Sequence, residues 1–328
     1  MPVPGNEEGR NLGKFILKRV AWMVVTIWLI ATIVFLLVNV LPGDVGRQVL
    51  GPTANSDDVA AFNARLGTDK PLLEQYVNSL RNLVTFDFGE SFQTGGPVMD
   101  LLWPALGRSA KLAFLAFIIT IPISIGAGIF AARRQDKLAD RVVVNAGLAS
   151  SSLPEFVTAS VLLAVFAVQW KIGSVYANVP PGTSLFGQLE YLLLPAMAMV
   201  VTYFGYIARM TRAGVINALH ADYTRTATLK GLSSGQVMRK HVLRNALAPT
   251  ITVISVQIGY LFGGIISVEV VFNYSGLGRM ILNAVGKKDI PVLQTAVLMV
   301  GIIYMISTLV ADLLIAALNP RVRLERGT

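Results

Sequence analysis

Apolar residues in this chain come in long unbroken runs rather than in alternation. Six runs, Val20–Leu41, Leu112–Ala132, Val142–Trp170, Tyr191–Ala208, Ala246–Val268 and Pro291–Ala311, approach or exceed the roughly 20 residues that carry a helix across a bilayer core. They are free of charge except for Glu155, which interrupts the third. None has the period of two that a membrane barrel strand needs. The pattern predicts an all-α integral membrane protein with six transmembrane helices.

Two polar stretches stand out between the runs. The first, 42–111, contains Asp57, Asp58, Asp69, Glu74, Asp87, Glu90 and Asp100, with turn signals at Gly51-Pro52 and Gly95-Gly96-Pro97. Within it, Pro71–Val84 spaces Leu, Tyr and Val at helical intervals, which predicts an amphipathic helix on the outer surface, packed on the spans in the favoured reading and part of a seat for an external partner in the other. The second stretch is a basic island from His220 to Pro249, read as a helix–turn–helix. Its turn falls at Gly231–Gly235, where Gly permits positive φ and Ser caps the following helix. Tyr223, Arg225, Lys230, Arg239, Lys240, His241 and Arg244 are expected to face water. Such a hairpin serves either as a docking element for a soluble partner or as a solvated loop that sets orientation.

Composition supports the membrane class, with 54% hydrophobic and 14% charged residues and a mean hydropathy of +0.60. Charge then sets the orientation. Of 28 Lys and Arg, 18 fall in the N-terminus, the connection after the second run, the island with Arg209 and Arg212, and the tail. The positive-inside rule places both termini and the island in the cytoplasm, and 42–111 outside. The net charge of +9 is accounted for by this topology and calls for no nucleic acid. The first run, ending at Leu41-Pro42-Gly43-Asp44, has no small-residue cleavage site and reads as an anchor rather than a removed signal.

Several chemistries are excluded. There is no cysteine, and the only two histidines lie in the island, which removes thiolate and His-based intramembrane metal sites. No P-loop, H-E-x-x-H or G-x-S-x-G motif occurs. The chain is not an enzyme on this pattern, and no internal repeat supports a duplicated carrier. Inside the spans, Ser124, Gly126 and Gly128 in the second run and Gly259, Gly263 and Gly264 in the fifth allow close helix contact. Pro154 and Glu155 interrupt the third run, and Glu269 closes the fifth; an ionisable group at depth is expensive, so both glutamates are candidate pathway groups. Glu155 fits an interface position equally well. Asp312 is assigned no role.

The island resembles the cytoplasmic coupling loop of the oligopeptide/dipeptide/nickel group of ABC-importer permeases. The matching residues are Asp222-Tyr223-Thr224-Arg225-Thr226-Ala227, Lys230-Gly231-Leu232-Ser233 and Lys240-His241-Val242-Leu243-Arg244-Asn245-Ala246-Leu247-Ala248-Pro249. Of the broader E-A-A-x-x-x-G pattern only Ala227 and Gly231 remain, with Arg225 at the Glu position. The similarity continues in order through Leu41-Pro42-Gly43-Asp44, Lys70-Pro71-Leu72, Gln75-Tyr76, Asp87-Phe88-Gly89-Glu90-Ser91, Glu269–Asn273 and Gly276-Leu277-Gly278-Arg279, with Val45 and Ser275 as departures.

The resemblance implies a type I importer permease in a bacterial inner membrane. Its partners would be a second homologous permease, two ATP-binding subunits carrying ATP and Mg, an extracytoplasmic substrate-binding protein, and lipid. This chain itself would bind no cofactor, metal or nucleic acid. Coupling to the ATPase would fall to Asp222, Tyr223, Arg225, Thr226, Ala227, Thr228, Lys230, Gly231 and Leu232. His241, Arg244 and Asn245 would brace the hairpin, and Pro249 would open the fifth span. The implied plan is a cytoplasmic segment at 1–19, a first span at 20–41, an extracytoplasmic segment at 42–111, a permease core at 112–318 with its coupling loop at 213–248, and a tail at 319–328. Peptides are the implied solute, with nickel chelates or other small solutes as alternatives. A stand-alone channel or secondary carrier is the rival from another class.

Overall fold

The computed structural model describes residues 5–40 and 44–318. The Leu41–Gly43 part of the expected turn and the tail 319–328 lie outside the described residues. All regular elements among these residues are helices, and the one strand-like feature is an isolated pairing of Glu90 with Pro97. In order they are α1 (Gly5–Val40), α2 (Val45–Leu50), α3 (Ser56–Leu66), α4 (Leu72–Thr85), α5 (Val98–Ala132), α6 (Leu138–Ser152), α7 (Glu155–Leu162), α8 (Gly187–Leu219), α9 (Asp222–Leu229), α10 (Ser234–Val237), α11 (Leu243–Val271), α12 (Leu277–Lys287) and α13 (Ile290–Leu318). Single π-helical stretches extend α7 over Leu163–Gln169 and join α10 to α11 over Met238–Val242.

Among the described residues five helical stretches are long and apolar enough to cross a membrane, and the count becomes six if the bent pair α6–α7 is one span. The interruption expected at Pro154 and Glu155 in the run Val142–Trp170 is a break at which the helix is bent by 105°. The cause is local. Pro154 disfavours αR at the residue before it, so Leu153 sits at φ −89, ψ 129, and Pro154 itself is extended. The fifth span differs from expectation. Pro249 does not open it but lies inside α11, which continues from the π turn before it. A proline there leaves the Asn245 carbonyl without its helical donor, a loss tolerated where other groups can satisfy the backbone.

The chain divides into two compact units. The first comprises residues up to Ser109 together with Ser275–Ile303. Leu102, Ala105, Leu277 and Ala296 form one of its cores, and Val98, Ala284 and Val292 another. Asp289 ties its loop 91–93 down: the carboxylate accepts from Ser91 Oγ at 2.5 Å and from the Phe92 amide at 3.1 Å. Asp44 caps α2, accepting from the Arg47 amide and from Asn63 Nδ2, both at 2.8 Å. The Arg47 amide, then Asn63, holds this carboxyl below the usual range. In α4, Tyr76 packs its ring on Phe35 of α1 at 5.3 Å and shares a 2.8 Å hydrogen bond with Thr32, while Leu72, Leu73, Val77 and Val84 stay exposed.

The second unit comprises Ala110–Tyr274 and the chain from Tyr304 onward, and α8 is its centre. The apolar window of α8 is 67% buried, against 17% in Leu17–Leu37 of α1, so α8 is enclosed by this chain while α1 leaves most of its apolar surface uncovered by it. Three neighbours approach α8 at small residues. A Cβ on Gly128 of α5 would lie 2.6 Å from the Ala208 carbonyl, one on Gly205 would lie 1.9 Å from the Gly147 carbonyl of α6, and one on Gly214 would lie 2.3 Å from the Ala246 carbonyl of α11. Asp140 of α6 takes both Nε and Nη2 of Arg212 on α8, and its Oδ2 also accepts the Asp136 amide at 2.9 Å.

Candidate functional site

The basic island folds as a hairpin on the end of α8. Ala221 leaves the helix in an extended conformation, α9 follows, and Gly231 reverses the chain at φ +80. Ser233 then opens α10 with a capping box, accepting the Gln236 amide while its own amide donates to Gln236 Oε1 at 3.0 Å. Both features of the predicted turn are present.

The seat of the hairpin is apolar and tight. Thr224 and Ala227, three residues apart on α9, turn inward; the Thr224 hydroxyl donates to the Ala218 carbonyl at 2.6 Å. Ala227 packs with Val215, Ala218, Val237, Val242, Ala246 and Ala132, and Leu232 lies against this cluster. Ala227 and Leu232 therefore support the hairpin from beneath rather than presenting themselves to a partner.

The outward face carries Asp222, Tyr223, Arg225, Thr226, Thr228, Lys230 and Gly231, all exposed. Leu229 joins them at 80% exposure, a residue the sequence reading left out of the coupling set. Its signal was available: an apolar side chain two positions after the inward Ala227 points away from the seat. Arg239, Lys240 and Arg244 extend the basic surface; with Arg225 and Lys230 they form no ion pair among the described residues.

Of the residues expected to brace the hairpin, His241 is half-buried, whereas Arg244 and Asn245 do not take that role. Arg244 and Asn245 are exposed, and Asn245 Nδ2 donates within its own helix to the His241 carbonyl at 3.0 Å. The hairpin is held instead by the Thr224 hydroxyl and the apolar seat, because only groups on its inward face reach α8 and α11.

The pathway candidates separate. Glu155 lies in the first turn of α7 behind Pro154, where a helix N-terminus favours a carboxylate. Its Oε1 lies 2.8 Å from where a Cβ on Gly264 would sit, as does Tyr203 Oη, so Gly264 makes room for both. Glu269 is fully buried and already partnered within the fold. The expectation that it meets solute is overturned for this conformation, since a carboxylate with no exposed surface cannot touch an entering molecule.

Known proteins were compared with the chain. The family described as binding-protein-dependent transport system inner membrane component matches residues 124–324, and its N-terminal companion matches 12–113. The probable peptide ABC transporter permease protein y4tP of Sinorhizobium fredii is 32% identical over 95% of this chain and 100% of its own length. The glutathione transport system permease protein GsiC of Escherichia coli is 33% identical over 94% of this chain and 98% of its own. A solved amino acid ABC transporter chain covers 68% of this one at 17% identity with a TM-score of 0.48, too distant for residue-level comparison. The apolar helices suit an inner-membrane, multi-pass protein, and the family's members are transport subunits without catalytic activity or a cofactor of their own. The chain belongs to the binding-protein-dependent transport system inner membrane components, the permease subunits of ABC importers.

Proposed function

We propose that this permease imports short peptides, forming half of the translocation pathway beside a second homologous permease. Two cytoplasmic subunits holding ATP and Mg power it, and an external binding protein delivers the solute. The single observation that carries the coupling role is the outward face of α9, with exposed Leu229, Tyr223, Arg225 and Lys230 on a seat locked by Thr224 and Ala227. An apolar tip amid unpaired cations on a braced helix suits an acidic-rimmed groove on a soluble partner. The peptide assignment is supported by relatives named for peptide and glutathione transport.

In this reading the termini and the hairpin face the cytoplasm and 42–111 faces outward, a placement supported by the distribution of Lys and Arg. ATP closes the paired nucleotide-binding subunits and draws in the coupling helices. The bent α6–α7 pair, α8 and α11 then rearrange to open the pathway outward. Pro154 supplies the break in the helix, and Glu155 beside it is the ionisable group positioned to meet a peptide's ammonium end. Gly231 keeps the hairpin tight, because a β-branched residue at φ +80 is strained even though the surrounding space is open.

The test is extraction of the tagged chain from its native membrane, with mass identification of what accompanies it. Two P-loop ATPases and a second permease are expected. A chain recovered alone and folded sinks the proposal in favour of a channel or secondary carrier. In vesicles rebuilt from the intact assembly, Gly231→Val is expected to leave ATP hydrolysis running while peptide uptake is lost.

A further inference from the structure

We propose that the first unit contains a peptide-binding site of its own, a cavity that holds a short free peptide before it enters the pathway. This rests on the peptide reading above. The cavity measures about 1030 Å³, at the upper end of the range occupied by small-molecule sites. Its polar wall comes from α3, α4 and the 87–92 loop, and its opposite wall from the α12–α13 corner.

The wall separates into groups used to build it and groups left for a ligand. Gln75 is consumed, its Nε2 donating to the Thr68 and Lys70 carbonyls at 3.1 and 2.7 Å. Asn63 is consumed likewise by the Gly46 amide and Asp44. Arg65 pairs with Glu90 at 2.6 Å and Lys70 with Glu74 at 2.7 Å. Left over are Asn78, Ser79 and Asn82, on one face of α4, and Gln294 of α13, whose side chains have no partner among the described residues. Among the described residues three charges of the lining have no ion pair: Asp44, which is taken up as the cap of α2, Asp87, which accepts only the Gly89 amide at 3.3 Å, and Lys288. Phe35, Leu293 and Leu298 add apolar surface from the helical spans.

This set matches one chemistry. Carboxamides and a hydroxyl donate and accept together, as main-chain N–H and C=O groups require. One free carboxylate and one free ammonium suit a molecule with a charged amine at one end and a carboxylate at the other. A simple cation or anion would leave one of the two charges unmatched, and the apolar surface accommodates side chains. A short peptide with free termini satisfies all three.

The experiment uses the full-length chain with its co-extracted partners, but without binding protein, in lipid nanodiscs. Binding of tetra-alanine and of its N-acetylated, C-amidated form is followed by calorimetry. Saturable binding of tetra-alanine is expected, with the blocked peptide clearly weaker. The double variant Asn78→Leu/Asn82→Leu is expected to bind roughly tenfold more weakly, the loss of two neutral hydrogen bonds. Asp87→Asn is expected to remove the preference for a free amine, and unchanged melting temperatures would show the variants folded. The blocked-peptide comparison needs no variant, so it stands even if one misfolds.

Absence of saturable binding, or equal binding by wild type and the double variant, overturns the site. If the variants bind tetra-alanine normally but hold the external binding protein less tightly, the cavity is a docking pocket and the proposal falls. Peptide uptake by the complete importer distinguishes the two levels. Uptake without cavity binding leaves the importer intact and removes only this site, whereas absence of both removes the peptide reading as well.

Discussion

At the residue scale, the Asp140–Arg212 pair carries the most consequence. Asp140 is 2% exposed and binds Arg212 in bidentate fashion, joining α6 to α8. Removing one partner of a buried pair strands the other, whereas replacing both by apolar groups of similar size is often close to neutral. The Arg212 side chain keeps 25% of its exposure, so Asp140→Asn is expected to cost about 3 kcal/mol, the low end for such pairs. Asp140→Leu/Arg212→Met should cost less than the single change, a ranking that thermal unfolding in detergent checks. Asp44 makes a pH test of the first unit. Its folded-state pKa is depressed, so its contribution is present above the unfolded value of about 3.9 and is lost as pH falls through the folded one. The Arg47 amide resonance is expected to titrate below about pH 4 in wild type and to stay still in Asp44→Asn, which keeps a capping oxygen without the charge. Neither Asp140 nor its partner was legible from the sequence as a pair: they stand 72 positions apart.

At the element scale, the apolar runs foretold the spans because hydrophobic length is a local property. The close approaches were only partly foretold. Gly128, Gly259 and Gly264 do meet neighbours, but Gly126 and Gly263 face open space, and Gly147, Gly205 and Gly214 went unnoticed. Small residues permit contact without requiring it, so only the rotation of each helix decides which are used. Gly205 is the tightest, and Gly205→Ala is expected to destabilise by about 3 kcal/mol through forced separation of α6 and α8, measured as a lowered melting temperature. Gly126→Ala, with nothing within 4 Å, should leave it unchanged. The bend at Pro154 follows the same division: the proline is visible in sequence, yet whether a proline kinks a span or divides it at 105° depends on the packing of both halves.

At the scale of the whole molecule, the chain makes sense as one subunit of a larger machine, and its coupling face is the place to test that. Leu229 is 80% exposed with nothing beneath it, so Leu229→Glu is expected to leave the melting temperature within about 1 °C while lowering recovery of the ATPase subunits several-fold in co-purification. Equal recovery would mean that the partner does not use this face. What the sequence determined by itself was the membrane class, the apolar runs that form the long helices, the existence of the hairpin and its turn at Gly231 and Ser233. Each depends on hydrophobic length, charge bias or backbone preference within a few neighbouring residues. The tertiary structure alone decided which side of α9 looks outward, that Ala227 and Leu232 form its seat, that Glu269 is sealed from solvent, and that a mixed-charge cavity exists in the first unit. Those outcomes depend on which residues distant in the chain are brought together, and burial and pairing across such distances leave no local signature to read.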